Sequence, residues 1–168
     1  MKRWLITALL SASLVSGCGF HLRGKVDLPE QLSAIYIQQK KASPLRLAVR
    51  DALTFAGGNV VKEKSLATAT LELENTQVTR SVRTVDLRGK ATSYTLTLRT
   101  VFRVLSSSNE TLVPSKVASA SRKLNFNSVQ VLASERESSI LVKEMEKNVA
   151  QQIIRNLARA GKTTTAKK

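Results

Sequence analysis

Two of the residue types that most often carry chemistry occur once each in this 168-residue chain, as Cys18 and His21. Cys18 closes the run Val15-Ser16-Gly17-Cys18, which follows Met1-Lys2-Arg3 and an apolar stretch from Trp4 to Val15. Charge, then grease, then small residues is the order of a cleavable export signal, and the apolar stretch is too short to span a bilayer comfortably. Small side chains at Ser16 and Gly17 let a peptidase approach the backbone. The spacing resembles a lipobox, in which the thiol is alkylated by diacylglycerol, the chain is cut before Cys18, and the new amine is acylated. A buried cysteine at the end of a core element is the competing reading; the position of this sole cysteine at the cleavage boundary favours acylation. The expected non-protein group is therefore a covalent N-acyl and S-diacylglycerol lipid on Cys18. At about 0.8 kcal/mol per buried CH₂, such multiple acylation holds a chain on a membrane permanently. Gly19 stands where an Asp commonly signals inner-membrane retention, so the outer membrane is the expected home.

An enzyme needs a nucleophile, base or metal cluster, and little else here supplies one. His21 sits just behind the anchor, which leaves no histidine for a metal site and gives a Ser-His-Asp arrangement little to build on. The acid pair Glu72 and Glu74 alternates with core-type leucines, and Glu135 and Glu137 open a helix, where acids favour the macrodipole. Phosphate-binding Gly-rich loops, Cys-x-x-Cys pairs and calcium loops are missing from the sequence. No catalytic residue and no metal ligand is assigned. An envelope enzyme using His21 with one of the acids is the weaker rival.

What the sequence has in surplus is positive charge. Lysine and arginine number 27 against 12 acids; loss of Lys2 and Arg3 with the signal leaves 25 − 12, or +13. Such a charge favours polyanionic partners. Export argues against nucleic acid, as does the low aromatic content, because single strands need exposed rings to stack on. Lipid phosphates, lipopolysaccharide (LPS) and acidic protein surfaces remain. Arg80, Arg83, Arg88 and Lys90 crowd into or beside one expected hairpin, and Arg99, Arg103 and Arg122 are candidates for the neighbouring exposed sheet face. Guanidinium groups grip phosphate bidentately, so a cluster at a turn suits the phosphorylated head of lipid A. The bland alternative is a basic surface that merely keeps the protein soluble.

The elements that must position these residues are legible from periodicity. Residues 1–17 are the signal and 18–31 a lipidated N-terminus and linker; 32–160 form one globular domain, and 161–168 a disordered basic tail. Within the domain, 32–39 is a strand candidate, and Ser43-Pro44 starts a helix to Ala56 that Gly57-Gly58 stops. Residues 67–85 read as a strand whose phase blurs near 75–77, as a bulge would cause. After the Arg88-Gly89-Lys90 turn, Tyr94, Leu96, Leu98, Phe102 and Val104 share one face of a strand, and Thr95, Thr97, Arg99 and Arg103 the other. A last strand is expected within 116–126, with Arg122 or Lys123 outward according to register. A helix from about 132 to 160 buries Val142, Met145, Val149, Ile153 and Leu157, and Gly161 is expected to end it. The order β-α-β-β-β-α predicts an α+β single domain with a mixed four-stranded sheet and both helices on one face.

Several of these segments together resemble a known family. Cys18-Gly19-Phe20-His21-Leu22-Arg23-Gly24, the Ser43-Pro44-Leu45 start with Arg50, the Arg88-Gly89-Lys90 turn before Tyr94, and Leu141-Val142-Lys143-Glu144-Met145 are similar to the LPS-assembly lipoproteins of the LptE family. The resemblance implies a small lipoprotein that plugs the outer-membrane β-barrel LptD, helps it fold, and binds LPS. It also implies LPS contact at the hairpin turn, where Arg88 and Lys90 fall, and near the start of the last helix. The basic position expected there is Ser134 in this chain, with Arg136 close by. The polar Thr95, Thr97, Arg99 and Arg103 face suits a polar barrel lumen. A generic lipoprotein binding anionic lipid or peptidoglycan is the other binding reading.

Overall fold

The computed structural model describes residues 29–39 and 43–165, with side chains up to Ala160. Cys18, His21, the expected signal and the expected lipidated linker up to residue 28 lie outside the described residues. A 3-10 turn, Glu30–Leu32, leads into β1 (Ala34–Gln39). The first helix, α1 (Pro44–Phe55), begins as expected: Ser43 is extended, its hydroxyl accepts from the Leu45 amide at 3.2 Å, and Pro44 occupies the first turn. Gly57, at φ +86°, reverses the chain.

The reversal creates an element that periodicity misses. Residues Asn59–Val61 form β2, parallel to β1, so the sheet has five strands and not four. Three residues are too few to show a period of two, and this strand exists because the Gly57 turn lays the chain beside β1. The remaining strands are β3 (Ala69–Val85), β4 (Ala91–Ser106) and β5 (Thr111–Asn125), in the order β2-β1-β3-β4-β5. β1 runs parallel to β3, and β3, β4 and β5 form an antiparallel meander. β5 starts at Thr111, earlier than its pattern suggests, because Val113 pairs with Val104 across a register shift that hides the alternation.

The last helix, α2 (Val131–Thr165), runs on through Gly161. The expected stop at Gly161 is corrected accordingly. One glycine costs a helix interior only about 1 kcal/mol relative to alanine, which is insufficient alone to end it. Both helices cover the same face of the sheet: Leu45, Val49 and Leu53 of α1 join Met145, Val149, Ile153 and Leu157 of α2, over Leu71, Leu98, Phe102 and Leu124, in one core. The expected α+β class and helix placement therefore hold.

The blurred phase of β3 is a bulge. Glu74 pairs with Val101 and Gln77 with Arg99, so one extra residue enters β3 where Asn75 adopts φ +49°. The insertion switches parity: Leu71 and Leu73 face the helices before it, whereas Val78, Arg80 and Val82, opposite Leu98, Leu96 and Tyr94, face that side after it. Thr76 and the buried Thr100 close the gap with a 2.8 Å hydroxyl contact, and Thr100 also donates to the Glu74 carbonyl at 3.2 Å.

Candidate functional site

The β3–β4 hairpin projects past the helical layer, and its tip is an ordered turn. Asp86 N donates to the Lys90 carbonyl at 2.8 Å and Gly89 N to the Asp86 carbonyl at 3.0 Å, with Gly89 at φ +76°. That conformation is open to glycine and strained for other side chains. One Asp86 carboxylate oxygen, Oδ1, accepts from the Arg88 and Lys90 amides, each at 2.9 Å. The acid in the middle of a basic segment thus shapes the turn that displays the bases. Asp-x-x-Gly is a turn signature, and it was the signal by which Asp86 could have been found in the sequence.

Arg83, Arg88 and Lys90 are exposed, and none forms an ion pair among the described residues. Arg83 is the extra β3 residue between the Val82–Tyr94 and Thr84–Ser93 pairs, a second bulge just below the tip. Arg80, Arg103 and Arg122 are engaged, whereas Arg99 forms no ion pair among the described residues. Arg103 meets Glu72 and Glu74 on the face away from the helices; the Glu72 hydrogen bond and charge hold its guanidinium pKa above the ordinary value, against the lowering effect of desolvation. Arg122 does not join that face. Its register partner is Leu96, it points to the helical side, and its Nη2 and Nε donate to Glu144 of α2 at 2.7 and 3.0 Å. The residue facing outward is Lys123, opposite Thr95.

Arg80 is engaged as well. Its Nη1 donates to Glu135 at 3.1 Å, and its guanidinium lies 3.8 Å from the Tyr94 ring centre and 5.3 Å from that of Phe126. Arg136 is exposed, one residue beyond this contact. Ser134, where a basic group was expected, is buried; its hydroxyl donates to the Gln130 carbonyl and accepts from the Asn127 amide. At 100° per residue Arg136 stands about 200° around the helix from Ser134, toward solvent.

The face away from the helices is a polar pavement. Thr97 and Ser121 hydroxyls meet at 2.9 Å, Thr79 donates to the Thr97 carbonyl and Ser81 to the Thr95 carbonyl, and Arg99 stands exposed among them. Among the described residues no cluster of His, Cys, Asp and Glu could hold a metal ion, and no helix is long and apolar enough to cross a membrane.

Residues 32–157 match the family model LptE, described as lipopolysaccharide-assembly. The LPS-assembly lipoprotein LptE of Pectobacterium atrosepticum is 29% identical over 161 residues, covering 94% of this chain and 86% of that protein. Its counterpart in Photorhabdus laumondii is 27% identical over 160 residues, with 94% and 87% covered. Among solved structures, lipoprotein B of Nitrosomonas europaea superposes with a TM-score of 0.69 at 25% identity, covering 88% of this chain and 94% of that one. The rare lipoprotein B of Shewanella oneidensis shares the fold, with a TM-score of 0.67 at 21% identity and 79% and 98% coverage.

Proposed function

The chain belongs to the LptE family of lipopolysaccharide-assembly lipoproteins, and from that premise we propose that it is tethered to the outer membrane through an acylated Cys18, binds LPS at the hairpin tip, and works inside the β-barrel LptD as plug and folding partner. The family assignment makes it an assembly lipoprotein of the cell envelope and not an enzyme.

One observation carries the LPS reading. Along the hairpin Arg80 and Arg103 are neutralised by acids, whereas Arg83, Arg88 and Lys90, on and just below an ordered turn, are exposed and form no ion pair among the described residues. A preorganised group of cations binds a phosphorylated head at less conformational cost than the same cations on a disordered loop. Arg136 extends the basic surface from the helix side. The Thr95, Thr97 and Arg99 pavement supports the barrel reading, because its hydroxyls can exchange water for the polar groups of a lumen.

The test exchanges Arg88 and Lys90 for Glu in the lipidated protein and measures binding to LPS micelles and to phosphatidylglycerol vesicles. Loss of LPS binding with an unchanged melting temperature is expected; unchanged LPS affinity removes the tip from the site. Equal losses on both lipids would favour a generic anionic-lipid module. Depletion of the protein in cells should reduce both surface LPS and correctly assembled LptD; normal levels of both would sink the assembly role.

A further inference from the structure

We propose that Arg80 is a positioning residue: it fastens the stem of the β3–β4 hairpin to the first turns of α2, and so fixes where the tip bases stand relative to Arg136. Its consequence for affinity rests on the LPS reading above; the fastening itself does not.

The geometry accounts for the assignment. After the Asn75 bulge, β3 presents Val78, Arg80 and Val82 on the helical side, opposite Leu98, Leu96 and Tyr94. The helical layer covers this stretch poorly, for Val78 and Val82 are 46% and 58% exposed. Few apolar contacts therefore hold the stem against the helix, and Arg80 supplies a substitute. Its guanidinium plane rests on Tyr94 of β4, which in turn meets Phe126 edge-on, with ring centres 5.4 Å apart at 82°. Phe126 follows β5 and is tied to the sheet by its amide, which donates to the Thr92 carbonyl at 2.9 Å. The edge of the guanidinium donates to Glu135, 55 residues away in sequence, on α2.

The ring contact constrains the plane of the group and the carboxylate constrains its direction. A flat guanidinium can rest on a ring while its edge donates to Glu135, a combination that the compact ammonium of lysine does not reproduce. A guanidinium already covered on one side and hydrogen-bonded to a carboxylate also has little left for a bidentate phosphate grip. Arg83, Arg88 and Lys90 carry no such engagement, so the four bases from Arg80 to Lys90 divide into one strut and three displayed charges.

The experiment uses the full-length lipoprotein purified from membranes, as wild type, Arg80→Ala, Arg80→Lys and Glu135→Gln. Amide hydrogen exchange is followed without ligand, and binding to LPS micelles is measured in parallel. Loss of the strut should speed exchange about tenfold in residues 78–85 and 131–137. Arg80→Ala and Glu135→Gln should both show this and both bind LPS more weakly, and Arg80→Lys should resemble Arg80→Ala despite its retained charge. A ligand role for Arg80 gives the opposite pattern. Glu135→Gln, by freeing the guanidinium, would then leave binding unchanged or tighter, Arg80→Lys would stay near wild type, and exchange would not move. That result overturns the proposal. If wild type fails to bind LPS micelles, the functional reading falls and the exchange comparison still decides on the strut. Should Arg80→Ala fail to fold, Arg80→Lys and Glu135→Gln carry the same comparison.

Discussion

Asp86 separates two accounts of the basic tip, one in which only total charge matters and one in which the shape of the turn matters too. Replacing it with Ala removes a negative charge beside Arg88 and Lys90, which on charge alone should tighten a phosphorylated lipid by at most about 1 kcal/mol per neighbouring base at contact distance in bulk water. The same change deletes the acceptor of two amide bonds of 2.9 Å. Exposed bonds of this kind contribute roughly 0.5–1.5 kcal/mol each, so the closed turn should lose about 1–3 kcal/mol. A loss of 1.4 kcal/mol corresponds to about a tenfold change in the closed-to-open ratio. Asp86→Asn provides the control, since its amide oxygen keeps the acceptor while the charge is gone. In calorimetry against LPS micelles at constant salt, Asp86→Asn should bind more tightly than wild type. Asp86→Ala should bind more weakly than Asp86→Asn, with faster exchange of the residue 88–90 amides. Indistinguishable affinity and exchange in the two variants refute the reasoning, because charge would then account for everything.

Phe102 is fully buried opposite Leu73 in the core, so Phe102→Ala should cost about 3–5 kcal/mol in urea unfolding; a loss under 1 kcal/mol would contradict the packing described. Glu146 is 8% exposed, and burial pushes its pKa up while Lys143 partly offsets the shift. Because the folded value is raised, its contribution is intact below the ordinary carboxylate range and is lost as pH rises through the folded pKa. Glu146→Gln should therefore gain thermal stability relative to wild type on going from pH 4 to pH 7, and a difference that is flat or shrinks with pH would argue against a buried charge there. Cys18→Ser should abolish both acyl labelling of the protein and the cut before residue 18, and retained acyl label would remove the proposed lipid anchor.

Much of this architecture was readable because local chemistry and global fold agree. Ser43 and Pro44 start α1 where a hydroxyl cap and a missing amide suit a helix start, and the alternation from Tyr94 to Val104 correctly separates core from polar face. The errors arise where pairing, which no local window sees, decides. β2 is only three residues long and depends on β1 beside it. The pattern of the last strand left Arg122 or Lys123 as the outward residue; register with Leu96 sends Arg122 to Glu144 and leaves Lys123 outward. For the candidate site, the sequence showed which bases cluster and hid which are already engaged. Arg80 differs from Arg83 only after the Asn75 bulge assigns its face, and its partners Tyr94, Phe126 and Glu135 lie far along the chain.

The length of β3 has a consequence for reach. Ala34, where the ordered strand begins, is bonded to Thr68 at the root of that strand, and the basic tip lies 17 strand residues further on. At about 3.3 Å per residue the two ends stand on the order of 50 Å apart, more than the roughly 30 Å hydrocarbon thickness of a bilayer. Under the proposed Cys18 anchor, the point where the ordered chain begins and the cations of the tip therefore lie at opposite ends of the long β3 strand.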